Sequence, residues 1–207
     1  MKPVNDDEMI KTLPIRRRIW DLAQPGIQTR LRSADKGYLD FFEIDQSLVD
    51  FVNILCNRAR IPMGRVYPKF RQAYYFSYYM AQVNNGGHRQ FIVNSSPRRV
   101  WYLEEALMAA HAMGAQEYAE VLVDYLGWLR QNPEKIDQLS DWSDKAVAAP
   151  LYALDDRFFA HQKGPEPVHY LVEWIATWPE VAVLEDDAYD AEIERILRLV
   201  PSPTVQV

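Results

Sequence analysis

Val83-Asn84-Asn85-Gly86-Gly87-His88-Arg89-Gln90-Phe91-Ile92-Val93-Asn94-Ser95 joins a glycine pair to a short amphipathic run, and its reading decides the fold. Upstream, Phe70, Tyr74, Ser77, Tyr78 and Ala81 recur at three- and four-residue steps, the spacing of one aromatic helix face. Asn84-Asn85-Gly86-Gly87 then supplies residues that tolerate positive φ, as a helix C-terminus requires. A second short helix, roughly 88–94, can start at once. Gln90, Asn94 and Ser95 are placed to bond the loose backbone groups at these ends, and Phe91 is the apolar anchor. Asn85, Gly86, Gly87, Gln90, Phe91 and Asn94 thus make the expected structural motif, a Gly-Gly helix–helix corner. The N–H groups after Gly87, with Arg89 beside them, could also take an anion. A corner held by side-chain amides is the simpler reading. No GKS or GKT follows, so the run is not a phosphate-binding P-loop.

Helical periodicity extends outward from this corner in both directions. The first 14 residues are polar, end at Pro14 and read as a flexible arm. Arg16-Arg17-Arg18 with Ile15, Ile19, Trp20 and Leu22 forms a short amphipathic helix that should end by Pro25-Gly26, its basic run a solvated face. Ile44, Leu48, Phe51, Val52, Leu55 and Ala59 make a helix stripe that Pro62 stops. After Pro97, Leu103, Leu107 and Ala110 line a helix that Gly114 ends, and Tyr118, Val121, Leu122, Tyr125, Leu126 and Leu129 line the next, closed by Asn132-Pro133. Ser140 is placed to cap a turn through Trp142, and Asp155 to cap a helix containing Phe158 and Phe159. Val168, Leu171, Val172 and Ile175 mark another helix before Trp178-Pro179, and Tyr189, Ile193, Ile196, Leu197 and Val200 mark the last. Strand-like alternation is missing. The fold class is therefore all-α, an irregular multi-helix bundle of about eight helices. Residues 15–200 read as a single helical domain and 201–207 as a tail.

Composition narrows the range of functions. With 48% apolar residues and six tryptophans, the 207-residue chain can build a sizeable core. No apolar run approaches the roughly 18–20 residues of a membrane span. The N-terminus lacks the apolar stretch of a secretory signal. The single cysteine, Cys56, excludes an intrachain disulfide, sits in an apolar helical pattern as a buried thiol, and makes the cytoplasm the default location. Charge is unevenly spread: residues 61–100 carry six Lys/Arg and no acid, whereas residues 101–207 carry seven Lys/Arg against 20 Asp/Glu. So acidic a second half repels phosphate and argues against direct nucleic-acid binding there. Ion pairs between the basic middle and this half are the simpler account of the asymmetry.

The chain resembles the bacterial DNA-mimic protein family. The resemblance rests on Asn85-Gly86-Gly87, Gln90, Phe91, Asn94 and Ser95, and downstream on Ala106-Leu107, Met113-Gly114-Ala115 and Asp155-Asp156-Arg157-Phe158-Phe159. It covers roughly residues 60–180, the family-like core, and departs at His88, where the family more often has an aromatic ring. The resemblance implies an all-helical fold and a protein that binds another protein instead of turning over a substrate. It further implies carboxylates standing in for DNA phosphates, with a basic DNA-binding protein as partner.

Two acidic rows fit that implication. Asp186, Asp190 and Glu194 fall on one helical face, with Asp187 beside them, at steps of about 6 Å from a rise of 1.5 Å per residue. Glu117, Glu120 and Asp124 form a second, shorter row. Such rows self-repel, and a partner rich in Lys/Arg relieves them, with Tyr189 beside Asp190 as an aromatic anchor. An immunity- or antitoxin-type inhibitor uses the same physics against a basic toxin. A homodimer is compatible with either. A hydrolase would have to use the Asp155-Asp156 carboxylate pair, which helix capping explains more simply. His88, His111, His161 and His169 are scattered, without an HExxH or a close helical His pair, so neither a metal nor another cofactor is expected. If the glycine corner is real, Gly87→Val destabilises the chain by about 1–3 kcal/mol through backbone strain. Thermal melting measures this, and an unchanged melting curve would remove the corner.

Overall fold

A computed structural model describes residues 10–29, 36–95, 97–140 and 145–199. The expected turn at Trp142, the tail 201–207, Val200 and most of the N-terminal arm lie outside the described residues. The architecture is all-α apart from one short sheet. The chain divides into two compact units: residues 1–71 with 172–207, and residues 72–171.

The first unit holds strand β1 (Leu13–Arg16), α1 (Arg17–Thr29) and α2 (Tyr38–Asn53), then β2 (Val181–Leu184) and α8 (Asp186–Leu199). The two strands pair in parallel, Leu13 opposite Val181 and Arg16 opposite Leu184. This sheet corrects the expectation of no strands. LPIR and VAVL are only four residues each, too short for alternation to register, and Leu13, Pro14 and Ile15 are buried in a row. Leu13 and Pro14, assigned to the flexible arm by their sequence, are therefore part of the fold.

Helix α1 also runs past its expected stop, through Pro25-Gly26 to Thr29. The reason is tertiary packing. A Cβ on Gly26 would lie 2.7 Å from Phe41 Cβ, so a bare glycine lets α2 close onto α1 there. The α2 stripe buries Phe41, Ile44, Leu48, Phe51 and Val52, and the helix widens into a π-helical turn, Ile54–Arg58, before Pro62. Cys56 lies in that turn, half-buried instead of fully buried, and burial pushes its thiol up. Phe70 and Trp178 stack at 5.7 Å, while Lys69 and Tyr67 both donate to Glu180.

The second unit is built from α3 (Pro68–Asn94) beyond its first turn, α4 (Arg99–Ala112), α5 (Gln116–Gln131), α6 (Lys145–His161) and the start of α7 (Pro167–Ala176). Helices α4 and α5 join across the turn at Gly114, as the sequence indicates. Tyr118, Val121, Leu122, Tyr125, Leu126 and Leu129 are all buried along α5. The aromatic stripe of α3 is rotated from its expected position: Ala81 is exposed and Tyr74 half-buried, whereas Ala73, Phe76, Tyr79, Met80 and Val83 are buried. Aromatic residues surround this helix on nearly every side, so their spacing alone could not pick the inward face.

Candidate functional site

Two features carry polar chemistry: the glycine corner in the second unit, and the acidic helix faces.

At the corner, α3 breaks at Gly86 and Gly87. Gly87 has φ 72° and ψ −177°, a conformation essentially confined to glycine. A Cβ there would fall on the Asp155 carboxylate, which occupies the space instead. Asp155 Oδ1 accepts the backbone N–H of His88 at 2.8 Å and contacts His88 Nδ1 at 2.6 Å. A carboxylate accepts, so Nδ1 carries the ring proton, and Nε2 is left to accept the Tyr79 hydroxyl at 2.8 Å. Tyr125 donates to the His88 carbonyl at 2.6 Å. Burial raises the pKa of both tyrosines well above its ordinary value, which keeps them donors. Phe158, one helical turn beyond Asp155, meets the Tyr79 ring edge-on at 5.7 Å.

Asp155 is thus mid-helix in α6 and caps the second arm of α3, where the sequence reading had it capping its own helix. It is also the anion that the N–H groups after Gly87 were suited to hold. Arg89 is buried and donates to the Leu139 carbonyl at 2.8 Å. The amides work differently from expectation. Gln90 Nε2 and Asn94 Nδ2 both donate to Gln82 Oε1, and Ser95 donates to the Tyr78 hydroxyl, so these side chains tie arm to arm instead of closing helix ends. Phe91 is fully buried against Tyr78, Tyr79 and Tyr125. Asn85 and Gly86 are exposed.

The Tyr–His–Asp chain has the connectivity of a proton relay, with its hydroxyl and imidazole closed to solvent and Asp155 partly exposed. His88 and Tyr79 are both 0% exposed, and Asp156 is exposed. Among the described residues no cluster of His, Cys, Asp and Glu could hold a metal ion, and no helix is long and apolar enough to cross a membrane.

The acidic rows, exposed except at half-buried Glu117, are largely engaged. On α8, Asp186 and Asp190 each accept a nitrogen of Arg16 at 2.7 Å, Glu185 accepts Arg17 at 2.9 Å, and Asp186 lies 3.6 Å from Arg18. Arg16 and Arg18 hold the Asp186 carboxyl below the usual range. Arg16 also sits 4.1 Å over the Tyr189 ring, so this aromatic is already occupied. Glu194 pairs with Arg198, and Asp187 is exposed. The tribasic run is therefore no merely solvated face, since it meets these acids, while the basic middle of the chain reaches the acidic half at Lys69–Glu180. On α5, Glu117 accepts the Tyr170 hydroxyl at 2.7 Å, Glu120 accepts Gln116 at 3.3 Å, and Asp124 pairs with Arg157. Glu120 and Asp124 border a groove of about 310 Å³ with Val123, Ala119, His111 and Arg157.

The corner makes stability depend on pH. Burial pulls the His88 pKa below its ordinary 6.5, outweighing the attraction of Asp155. Below pH 6.5 the unfolded chain therefore binds a proton at His88 that the folded chain refuses. This contribution is complete above that pH and is lost as the pH falls towards the folded value. In urea melts at about pH 7.5 and about pH 5.5, the midpoint should drop in acid, and drop less in His88→Phe. An equal drop in both proteins would place the sensitivity elsewhere.

Comparison with curated proteins gives no match. No solved structure matches either. A family model described as DMP19-like protein matches residues 66–178, more than half of the 207-residue chain. That segment contains the corner, Asp155 and the α5 acidic row, whereas α8 lies beyond it. On this match the chain belongs to the DMP19-like family, the family of a DNA mimic protein.

Proposed function

We propose that this chain works by binding another protein, as a DNA mimic whose carboxylates take the place of phosphates in a basic DNA-binding partner. Family membership over residues 66–178 is the observation that carries this reading. Within that segment, Glu117, Glu120 and Asp124 follow one another along α5 at three- and four-residue steps, about 4.5 and about 6 Å apart along the axis. Glu120 and Asp124 are exposed, and Val123 beside them is 49% exposed. Carboxylates flanking an aliphatic side chain suit a partner surface that offers Lys or Arg around an apolar spot. The acids of α8, engaged by Arg16–Arg18, contribute less until those arginines are displaced. No observation favours a toxin over a DNA-binding protein as partner, and the family description favours the latter.

The test is capture on the immobilised chain followed by competition. A captured DNA-binding protein should be displaced by its own duplex DNA. Its affinity should fall steeply between about 50 and about 200 mM salt. Glu120→Gln with Asp124→Asn should weaken it by roughly tenfold or more. A partner that DNA fails to displace, or binding indifferent to salt, would overturn the reading.

A further inference from the structure

We infer that Arg16–Arg18 is a built-in occupant of the α8 acidic face, an autoinhibitory contact that a basic partner must displace to use that face. The inference rests on the reading above, that this chain binds cationic protein surfaces. The contact has the chemistry of such a partner. Three consecutive cationic side chains reach three carboxylates: Arg16 bridges Asp186 and Asp190, Arg17 reaches Glu185, and Arg18 approaches Asp186. Asp186 and Asp190 are one helical turn apart, so a single guanidinium spans two successive sites of a phosphate-like row. Tyr189 adds a ring face under the same guanidinium.

The three arginines are not equally held. Arg16 is anchored at the end of β1, where Leu13 and Ile15 are fully buried, and its side chain is 23% exposed. The side chains of Arg17 and Arg18 are 48% and 68% exposed. They open the first turn of α1, so both can swing away without disturbing the strand. Exposed pairs of this kind are weak and screened by salt, which makes them exchangeable. On the Arg16 side of this face, an open cleft of about 740 Å³ is lined by Asp50, Asp190, Glu194 and Tyr189 together with Arg16 and Arg58. Displacing Arg17 and Arg18 would therefore return Glu185 to a partner and relieve Asp186 of one of its two cations, while Arg16 keeps its hold on Asp186 and Asp190.

The probe is an oligoarginine peptide titrated calorimetrically into the full chain at low salt. Arg17→Gln with Arg18→Gln should tighten binding by roughly threefold to tenfold relative to a control that loses the same charge, Arg60→Gln with Arg65→Gln. Adding Glu185→Gln and Asp186→Asn should erase that gain. A gain no larger than the control's, or one that survives loss of Glu185 and Asp186, overturns the inference. Glu120→Gln with Asp124→Asn tests the underlying reading separately. If it weakens peptide binding while the changes at 17 and 18 have no specific effect, the α5 reading stands and the masking fails. If the peptide binds neither wild type nor any variant, both fall.

Discussion

The Asp155 carboxylate stands where Gly87 has no side chain, and the second unit depends on that contact. The same oxygen accepts the His88 amide and faces its ring, so a helix end that would otherwise leave N–H groups unpaired is closed from another helix. Three constraints converge on a few atoms. Gly87 must be glycine both for its φ and for the space. Asp155 must be an acceptor of about carboxylate length. The imidazole, once oriented, fixes the Tyr79 hydroxyl. Removing one partner leaves the others buried and unpaired, which costs about 1–3 kcal/mol for each such group. A single side chain thus ties α6 to both arms of α3, and the Tyr125 hydroxyl adds α5.

Much of this was legible in the sequence, because helix ends announce themselves chemically. Gly114, Pro62 and Asn132-Pro133 all mark real ends, and the α5 stripe is buried as its periodicity requires. Other features left no local trace. Two four-residue strands are too short to alternate, and α1 passes Pro25-Gly26 because Phe41, distant in sequence, packs on Gly26. The corner is the instructive case. Both halves, Asn85-Gly86-Gly87-His88 and Asp155-Asp156-Arg157-Phe158, stood out as motifs, yet 67 positions separate His88 from Asp155 and nothing local says that they meet. A glycine pair able to receive an anion, in a chain whose Asp155-Asp156 reads locally as a helix cap, is the available signal. The hydroxyls of Tyr79 and Tyr125 leave no sequence signal, because a buried tyrosine looks like any core aromatic until its hydroxyl finds a partner.

Charge followed a different logic. Counting acids along residues 101–207 shows an excess but not its availability, since exposed carboxylates are commonly spent on nearby cations. On α8 the excess is met by Arg16–Arg18 from the other end of the chain, a pairing that strand β1 arranges. On α5, inside the family segment, Glu120 accepts a neutral amide, that of Gln116 in the same helix. The two faces therefore differ in degree: Asp124 on α5 shares one arginine, Arg157, whereas the N-terminal acids of α8 are met by three, Arg16–Arg18.

The most direct test of the central contact is a double-mutant cycle of Gly87→Ala and Asp155→Ala, measured by urea unfolding. If the carboxylate and the missing side chain share one space, Gly87→Ala costs clearly less in the Asp155→Ala background than in wild type, where strain at positive φ and the clash both apply. The predicted coupling exceeds about 1 kcal/mol. Effects that add to within about 0.5 kcal/mol would contradict it and leave the corner as backbone geometry alone.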